Sequence, residues 1–308
     1  MTSAVVFAYH QVGVRCLEVL LEHNIDVALI FTHQDDPKEL LWFPSVAECA
    51  KNYNIRVVKP EHPNTEAWAR EIENINPDFI FSFYYRYLIS DRILSLPSKG
   101  SLNMHGSLLP KYRGRVPINW AVLHGEKESG ASLHYMVAKA DQGDIVDQAQ
   151  VPILRNDTAF EVFQKVCTAA ECVLHRSLPA LIQGSAVRRV QDATQASYFG
   201  RRTPAQGEID WSKSAWDIHN LIRAVAPPYP GAFFEFAEHR FIVEKSLYVN
   251  TSHVPAKRLA SSAMFWFDDE TSAVWVRCGD ENYLQCLCLR YADNHESDAR
   301  LLLKSLLN

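Results

Sequence analysis

Between residues 4 and 105 the chain alternates short, continuously apolar runs with stretches whose apolar residues recur every three to four positions. AVVFAY (4–9) precedes VRCLEVLLEHN, and DVALIF (26–31) precedes SVAECAKNYN. IRVV (55–58), WAREIENI (68–75), DFIFSF (78–83), LISDRILSL and SLNMH (101–105) continue the rhythm. Period-3.6 segments between β-rich runs read as helices between strands. Strands apolar on both faces belong in a parallel sheet covered on both sides. The expectation is a Rossmann-like α/β fold whose ligands lie at the carboxyl ends of the strands. Asn103 and His105 stand at one such end.

Beyond this, the spacing predicts a helix over 117–124, strands over 132–137 and 145–151, and a long helix from about 158 to 183. A connector over 184–204 ends in FGRRTP, and the character then changes. EIDW, a helix over 213–225 and the stiff APPYPGAF loop lead into FFEFA, RFIVEKSLYV, AMFWF, AVWVRC and YLQCLCLRY. Runs of short alternating strands imply a second, smaller, mainly β domain, an OB-like barrel. The expected division is a catalytic domain over 1–203 and a β domain over 204–308.

A βα unit at the N-terminus invites a dinucleotide, which needs glycines so that the backbone can approach a pyrophosphate. The turn here is Tyr9-His10-Gln11-Val12-Gly13, with one glycine where three are needed, so NAD is not expected. No apolar run approaches the ~20 residues of a membrane span, and MTSAVVFAYHQ reads as a first strand rather than a signal peptide. The seven cysteines are odd in number and lack C-x-x-C spacing. They read as buried, reduced thiols of a cytoplasmic protein without a metal site. A net charge of −5 argues against nucleic acid, whose phosphates require a basic footprint.

On a strand, residues i and i+2 share a face, so Asn103 and His105 can act on one ligand group. An amide N–H and an imidazole suit a developing oxyanion. A carboxylate beside an imidazole favours its cationic form. Asp141, in the loop Lys139-Ala140-Asp141-Gln142-Gly143-Asp144, is the best candidate partner. Such a trio fits acyl transfer to an amine without a covalent enzyme intermediate. Taken alone, an Asn-x-His pair at a strand end serves more readily to satisfy loop backbone groups.

The wider pattern decides otherwise. SLNMHGSLLPKYRGRVPINW (101–120), MVAKADQGDIV (136–146) and FGRRTP…EIDW (199–211) resemble the 10-formyltetrahydrofolate-dependent formyltransferases. The likeness runs from residue 5 to about 233. It implies that Asn103 stabilises the transition state, that His105 moves the proton and that Asp141 sets the ionisation of His105. It implies a formyl-folate pocket lined by Tyr87, Leu88, Ile89 and Arg115 and by Val137, Ala138, Lys139 and Ala140. Pro110 and Pro117 stiffen the intervening loop and Gly114 lets it turn. Lys111, Arg113 and Arg115 are expected to hold anionic groups of folate or substrate.

Within that family two amines compete. Methionyl-tRNA formyltransferases need a cationic surface, whereas the loop THQDDPKELLWFPS (32–45) sets Asp35, Asp36 and Glu39 against Lys38. Residues 204–308 hold ten Lys and Arg against fourteen Asp and Glu, a balance of −4 that repels a polyanion. FAYH, IFTH, FSFYYRYLI, HGSLLPKYRGR, FGRRTP and PPYPGAF are similar to the formyltransferase domain of ArnA, which acts on UDP-4-amino-4-deoxy-L-arabinose in lipid A modification and polymyxin resistance. The resemblance implies a nucleotide-linked amino sugar, with Arg201, Arg202 and Tyr229 as candidate contacts, and leaves a homo-oligomer open. The tail ESDARLLLKSLLN carries no second glycine fingerprint. The expectation is therefore a stand-alone sugar formyltransferase, or a relative acting on another nucleotide-linked 4-amino sugar.

Overall fold

The structure is a computed structural model that describes residues 1–37, 40–254, 264–269, 273–292 and 294–307. Lys38 and Glu39 of the acidic loop and Ala263 of the AMFWF run lie outside the described residues. The chain divides into two compact units. The first comprises Met1–Pro117, Glu128–Pro152 and Phe163–Gly200; the second comprises Ile118–Lys127, Ile153–Val162 and Arg201–Asn308.

In the first unit β1 (Ser3–Ala8), α1 (His10–Glu22), β2 (Asp26–Phe31), α2 (Val46–Asn52), β3 (Val57–Val58), α3 (Glu66–Ile75), β4 (Phe79–Phe83), α4 (Asp91–Leu94) and β5 (Gly100–His105) reproduce the expected alternation. Helix starts are chemically marked: the Ser45 hydroxyl accepts from Glu48 N–H at α2, and the Thr65 hydroxyl accepts from Trp68 N–H at α3, both at 3.3 Å. After the short β6 (Arg113–Gly114) and α5 (Pro117–Leu123) come β7 (Glu128–Tyr135), β8 (Ile145–Pro152), α6 (Ala159–Gln183) and β9 (Tyr198–Phe199). The sheet order is β3-β2-β1-β4-β5-β7-β8. Its first five strands are parallel, β7 runs antiparallel to β5, and β8 runs antiparallel to β7. The order reverses between β1 and β4, the switch point at which doubly wound sheets open a crevice.

Both faces of this sheet are covered. Val5, Phe7, Leu29, Phe31 and Ile80 pack with Ala69 and Ile72 of α3 and Ile93 of α4. The alternating residues Ala4, Val6, Ile30, Phe79 and Phe81 are equally buried, as are Val12, Cys16, Leu17 and Leu20 along one stripe of α1. Gln11 and Arg15 of α1 reach Gln164 and Thr168 of α6. A Cβ on Gly13 would come within 3.0 Å of Val46 and 3.2 Å of Ala8, so the one glycine of the first turn serves close packing. His10 fills that turn instead, its ring against Phe43, Trp42 and Phe163 at centroid distances of 3.8, 4.6 and 4.8 Å.

The second unit contains α7 (Ala215–Val225), β10 (Ala232–Phe236), β11 (His239–Val249), β12 (Phe265–Asp268), β13 (Ala273–Arg277), β14 (Tyr283–Tyr291), β15 (Asn294–Asp298) and α8 (Arg300–Leu307). Its antiparallel sheet runs β10-β11-β14-β13-β12, with β15 also on β14. Phe265 of β12 stacks on Phe234 of β10 at 5.7 Å, so the sheet curls until its two ends meet over a shared core. The segments 118–127 and 153–162 join this unit through α7. Arg223, 4% exposed, donates to Val122 O and Asp157 O, and Asn119 donates to Ala224 O.

No described helix is long and apolar enough to cross a membrane. None of the seven cysteines forms a disulfide. Two of them correct the expectation of burial: Cys172 is exposed on α6, and Cys288 faces outward on β14 where Cys286 faces inward.

Candidate active site

Asn103 and His105 lie on one face of β5, and the antiparallel register sets Asn103 opposite His134 and His105 opposite Ser132. His105 is 7% exposed. Its Nε2–H donates to Tyr112 O at 2.8 Å, and its Nδ1 lies 3.5 Å from Asp141 Oδ1. Both groups facing the ring are acceptors. Asp141 thus lies where the sequence reading puts it.

Asp141 is held from several sides. Its Oδ2 accepts the Gly114 N–H at 2.8 Å, and its Oδ1 lies 3.6 Å from His134 Nε2. Burial raises this carboxyl. Attraction to His105 and the Gly114 N–H outweigh that and hold it well below the usual carboxylate range. Asp141 itself takes a left-handed conformation, with φ of 58°. The loop's glycine answers a different need: a Cβ on Gly143 would stand 1.9 Å from Tyr135 O.

His134 is the residue that sequence reasoning missed. It is 1% exposed, and its Nδ1–H donates to Tyr135 O at 2.8 Å. That partner assigns the proton to Nδ1, so Nε2 accepts from Asn103 Nδ2 at 3.2 Å. One N–H of the Asn103 amide is thereby fixed, and the second has no partner among the described residues. The visible signal was a histidine inside the otherwise apolar run SLHYMV; its cross-strand neighbour could not be read from chain order.

The loop after β5 is built to keep its shape. Ser132 Oγ donates to Ser107 O at 2.6 Å and accepts from Leu109 N and Gln148 Nε2. Ser107 Oγ donates to Lys111 O at 2.7 Å. Arg113 requires a correction. Expected to hold a substrate anion, it is 7% exposed, and its Nε and Nη2 both donate to Gln191 Oε1 at 3.2 and 2.7 Å. Lys111 is exposed.

Of the residues expected at the folate pocket, Tyr87 and Leu88 are 47% and 71% exposed, and Val137 is 47% exposed. Ala138 and Lys139 are exposed and Ala140 is half-buried. Ile89 and Met136 are each half-buried against the sheet core. Arg115 Nη2 donates to Arg86 O at 3.4 Å, bridging the loop after β4 to the loop after β5. Asn64 pins the first of these from both sides, donating to Leu88 O and accepting from Ser90 N–H at 2.8 Å each. Arg201, Arg202 and Tyr229 belong to the second unit. Among the described residues, no cluster of three or more His, Cys, Asp or Glu could hold a metal.

Residues 5–178 match the formyl transferase family, and residues 201–307 match the formyl transferase C-terminal domain. The chain belongs to the formyltransferase family. Among solved structures it is similar to the N-formyltransferase from Helicobacter canadensis in complex with folinic acid and dTDP-3-aminofucose. That match has 23% identity, covers 93% of this chain and 99% of the other, and has a TM-score of 0.72. The sugar 3N-formyltransferase WlaRD, solved with dTDP and 5-N-formyltetrahydrofolate, matches at 21% identity over 96% and 99% of the chains, with a TM-score of 0.72. A 4-N-formyltransferase from Francisella tularensis matches at 18% identity over 77% and 93%, with a TM-score of 0.63. At these identities the likeness is one of fold, and it extends through both units of this formyltransferase.

Proposed function

We propose that this enzyme transfers the formyl group of 10-formyltetrahydrofolate to the 4-amino group of a nucleotide-linked sugar. UDP-4-amino-4-deoxy-L-arabinose, a sugar nucleotide of lipid A modification, is the acceptor favoured by its sequence motifs. The observation that carries the reading is the convergence of Asn103, His105 and Asp141 over β5 in a chain of this family. In the proposed reaction the amine lone pair attacks the formyl carbon and the carbonyl π pair moves to oxygen. The free Asn103 amide N–H donates to that oxygen. His105, paired with Asp141, takes the proton released by the attacking amine and delivers it to the folate nitrogen as the carbon–nitrogen bond breaks. Formamide and tetrahydrofolate result, with no bond to the enzyme.

The exposed apolar residues Tyr87, Leu88 and Val137 suit the flat pterin, with Ile89 beneath and Ala138, Lys139 and Ala140 offering backbone groups. Arg115 and Lys111 are assigned to the anionic tail of the folate. Arg202 is the strongest candidate for the sugar nucleotide's diphosphate. Its Nε and Nη1 are buried without a hydrogen-bond partner, and burial depresses its pKa. Its Nη2 donates to Gln206 O at 3.0 Å, which leaves the other two nitrogens as buried donors that are costly until an anion meets them. Arg201 and Tyr229 are the accompanying candidates. The −4 balance of residues 204–308 disfavours methionyl-tRNA.

The test is spectrophotometric tetrahydrofolate release with 10-formyltetrahydrofolate and a panel of nucleotide amino sugars beside methionyl-tRNA. Turnover with UDP-4-amino-4-deoxy-L-arabinose is expected. Turnover with another 4-amino sugar would retain the chemistry and change the pathway, and turnover with tRNA alone would overturn the acceptor.

A further inference from the structure

We infer that Arg113 and Gln191 are positioning residues, which fix the loop bearing Asp141 so that its carboxylate faces His105; the inference rests on reading that pair as the reacting dyad. Gln191 is 9% exposed and uses its whole amide. Its Nε2 donates to Asp141 O at 2.9 Å and to Gly143 O at 2.7 Å, gripping the loop on both sides of Gln142. Its Oε1 accepts from two nitrogens of Arg113. The amide therefore cannot rotate without giving up four hydrogen bonds at once.

Around Arg113 three consecutive residues share out the site. The carbonyl of Tyr112 receives His105 Nε2–H, the side chain of Arg113 holds Gln191, and the N–H of Gly114 meets Asp141 Oδ2. The same strand is anchored from behind, since Arg113 N–H donates to Ser197 O and Arg115 N–H donates to Phe199 O. A closed ring results: His105 to the 112–114 backbone, Arg113 to Gln191, Gln191 to the backbone of Asp141, and Asp141 back to His105. Within it the Arg113 guanidinium meets the neutral Gln191 amide oxygen rather than a carboxylate. Asp141 is held in a left-handed conformation, with φ of 58°. The two Gln191 donors lie where they oppose its relaxation.

Gln191→Glu separates holding Arg113 from holding the loop. A carboxylate still accepts the Arg113 fork, but it has no hydrogens for Asp141 O and Gly143 O. The experiment is a double-mutant cycle in kcat with Asp141→Asn, accompanied by thermal denaturation of each variant. Gln191→Glu is expected to lower kcat about 10²-fold, the scale of a 1 Å misplacement, and to change it only about twofold once Asp141 is already Asn. The unequal cost is the signature of one shared function. Equal cost on both backgrounds, or wild-type kcat in Gln191→Glu, overturns the clamp. If Asp141→Asn itself keeps wild-type kcat, the dyad reading falls and takes the clamp with it. Should Gln191→Glu not fold, Arg113→Lys enters the same cycle; its single ammonium replaces the fork, and the same non-additive pattern with a smaller loss is expected.

Discussion

Two histidines stand at the same end of the same sheet and have opposite surroundings. His10 follows the carboxyl end of β1, and His105 closes β5. His10 is enclosed by Trp42, Phe43 and Phe163, and its Nδ1 has no hydrogen-bond partner among the described residues. Burial, aided by the charge of Arg86, pushes it down to about 3. His105 is also buried, yet a backbone carbonyl faces one nitrogen and the Asp141 carboxylate the other. The first is locked neutral and packs; the second sits where a proton can be held or moved. Position at a strand end is therefore not enough to make a histidine useful: the acid beside it decides.

The sharpest way to break this contrast is to remove the groups that act. Asn103→Ala and His105→Ala are each expected to lower kcat by about 10²–10³-fold or more, the scale of one oxyanion-hole donor. His10→Asn, which tolerates the left-handed backbone at that position (φ 68°), should stay within a few-fold. Steady-state kinetics at saturating formyl donor decide, and equal losses at both histidines would erase the distinction. Asp141→Asn comes next, with a smaller loss and a displaced acidic limb in the pH–rate profile. Because the folded carboxyl is depressed, its contribution to stability is present above about pH 4 and is lost as the pH falls further. The Asn variant should lack that acid-side loss in urea titrations.

His10 makes a third, purely energetic prediction. A base whose pKa falls from 6.5 to about 3 on folding binds protons preferentially when unfolded. Stability is therefore lost as the pH drops from about 6.5 towards 3, by up to several kcal/mol in all. His10→Asn should flatten this slope. His219, pushed down to about 4 by burial, adds the same sign of dependence between 6.5 and 4 and should remain in that variant. An unchanged slope would show that His10 is not the group titrating. The smallest effect is expected from Asn64→Ala. It frees the 88–90 loop at a cost near 1 kcal/mol and should raise the KM for the formyl donor a few-fold with kcat unchanged.

The sequence carried those features that depend on local order. Apolar runs gave the parallel strands, the i, i+2 spacing set Asn103 beside His105, and the D-x-G-D loop supplied Asp141. What it did not carry depends on register and reach. His134 meets Asn103 only because β7 turns antiparallel against β5. Arg113 looked like a surface cation until Gln191, 78 positions on, took its guanidinium. The segments 118–127 and 153–162 join the second unit through buried carbonyls that face Arg223, and nothing in their own composition announces it.

The hydrogen bond from the Gly114 amide to the Asp141 carboxylate also gives the protein a built-in indicator. Glycine amides occupy an uncrowded region of a nitrogen–proton correlation spectrum, and an amide proton facing a charged oxygen resonates away from its peers. That one signal should follow the carboxylate through acid titration, through donor binding and through any variant that shifts the 136–144 loop. The state of the Asp141 carboxylate could then be read in the resting protein, before a substrate has been chosen.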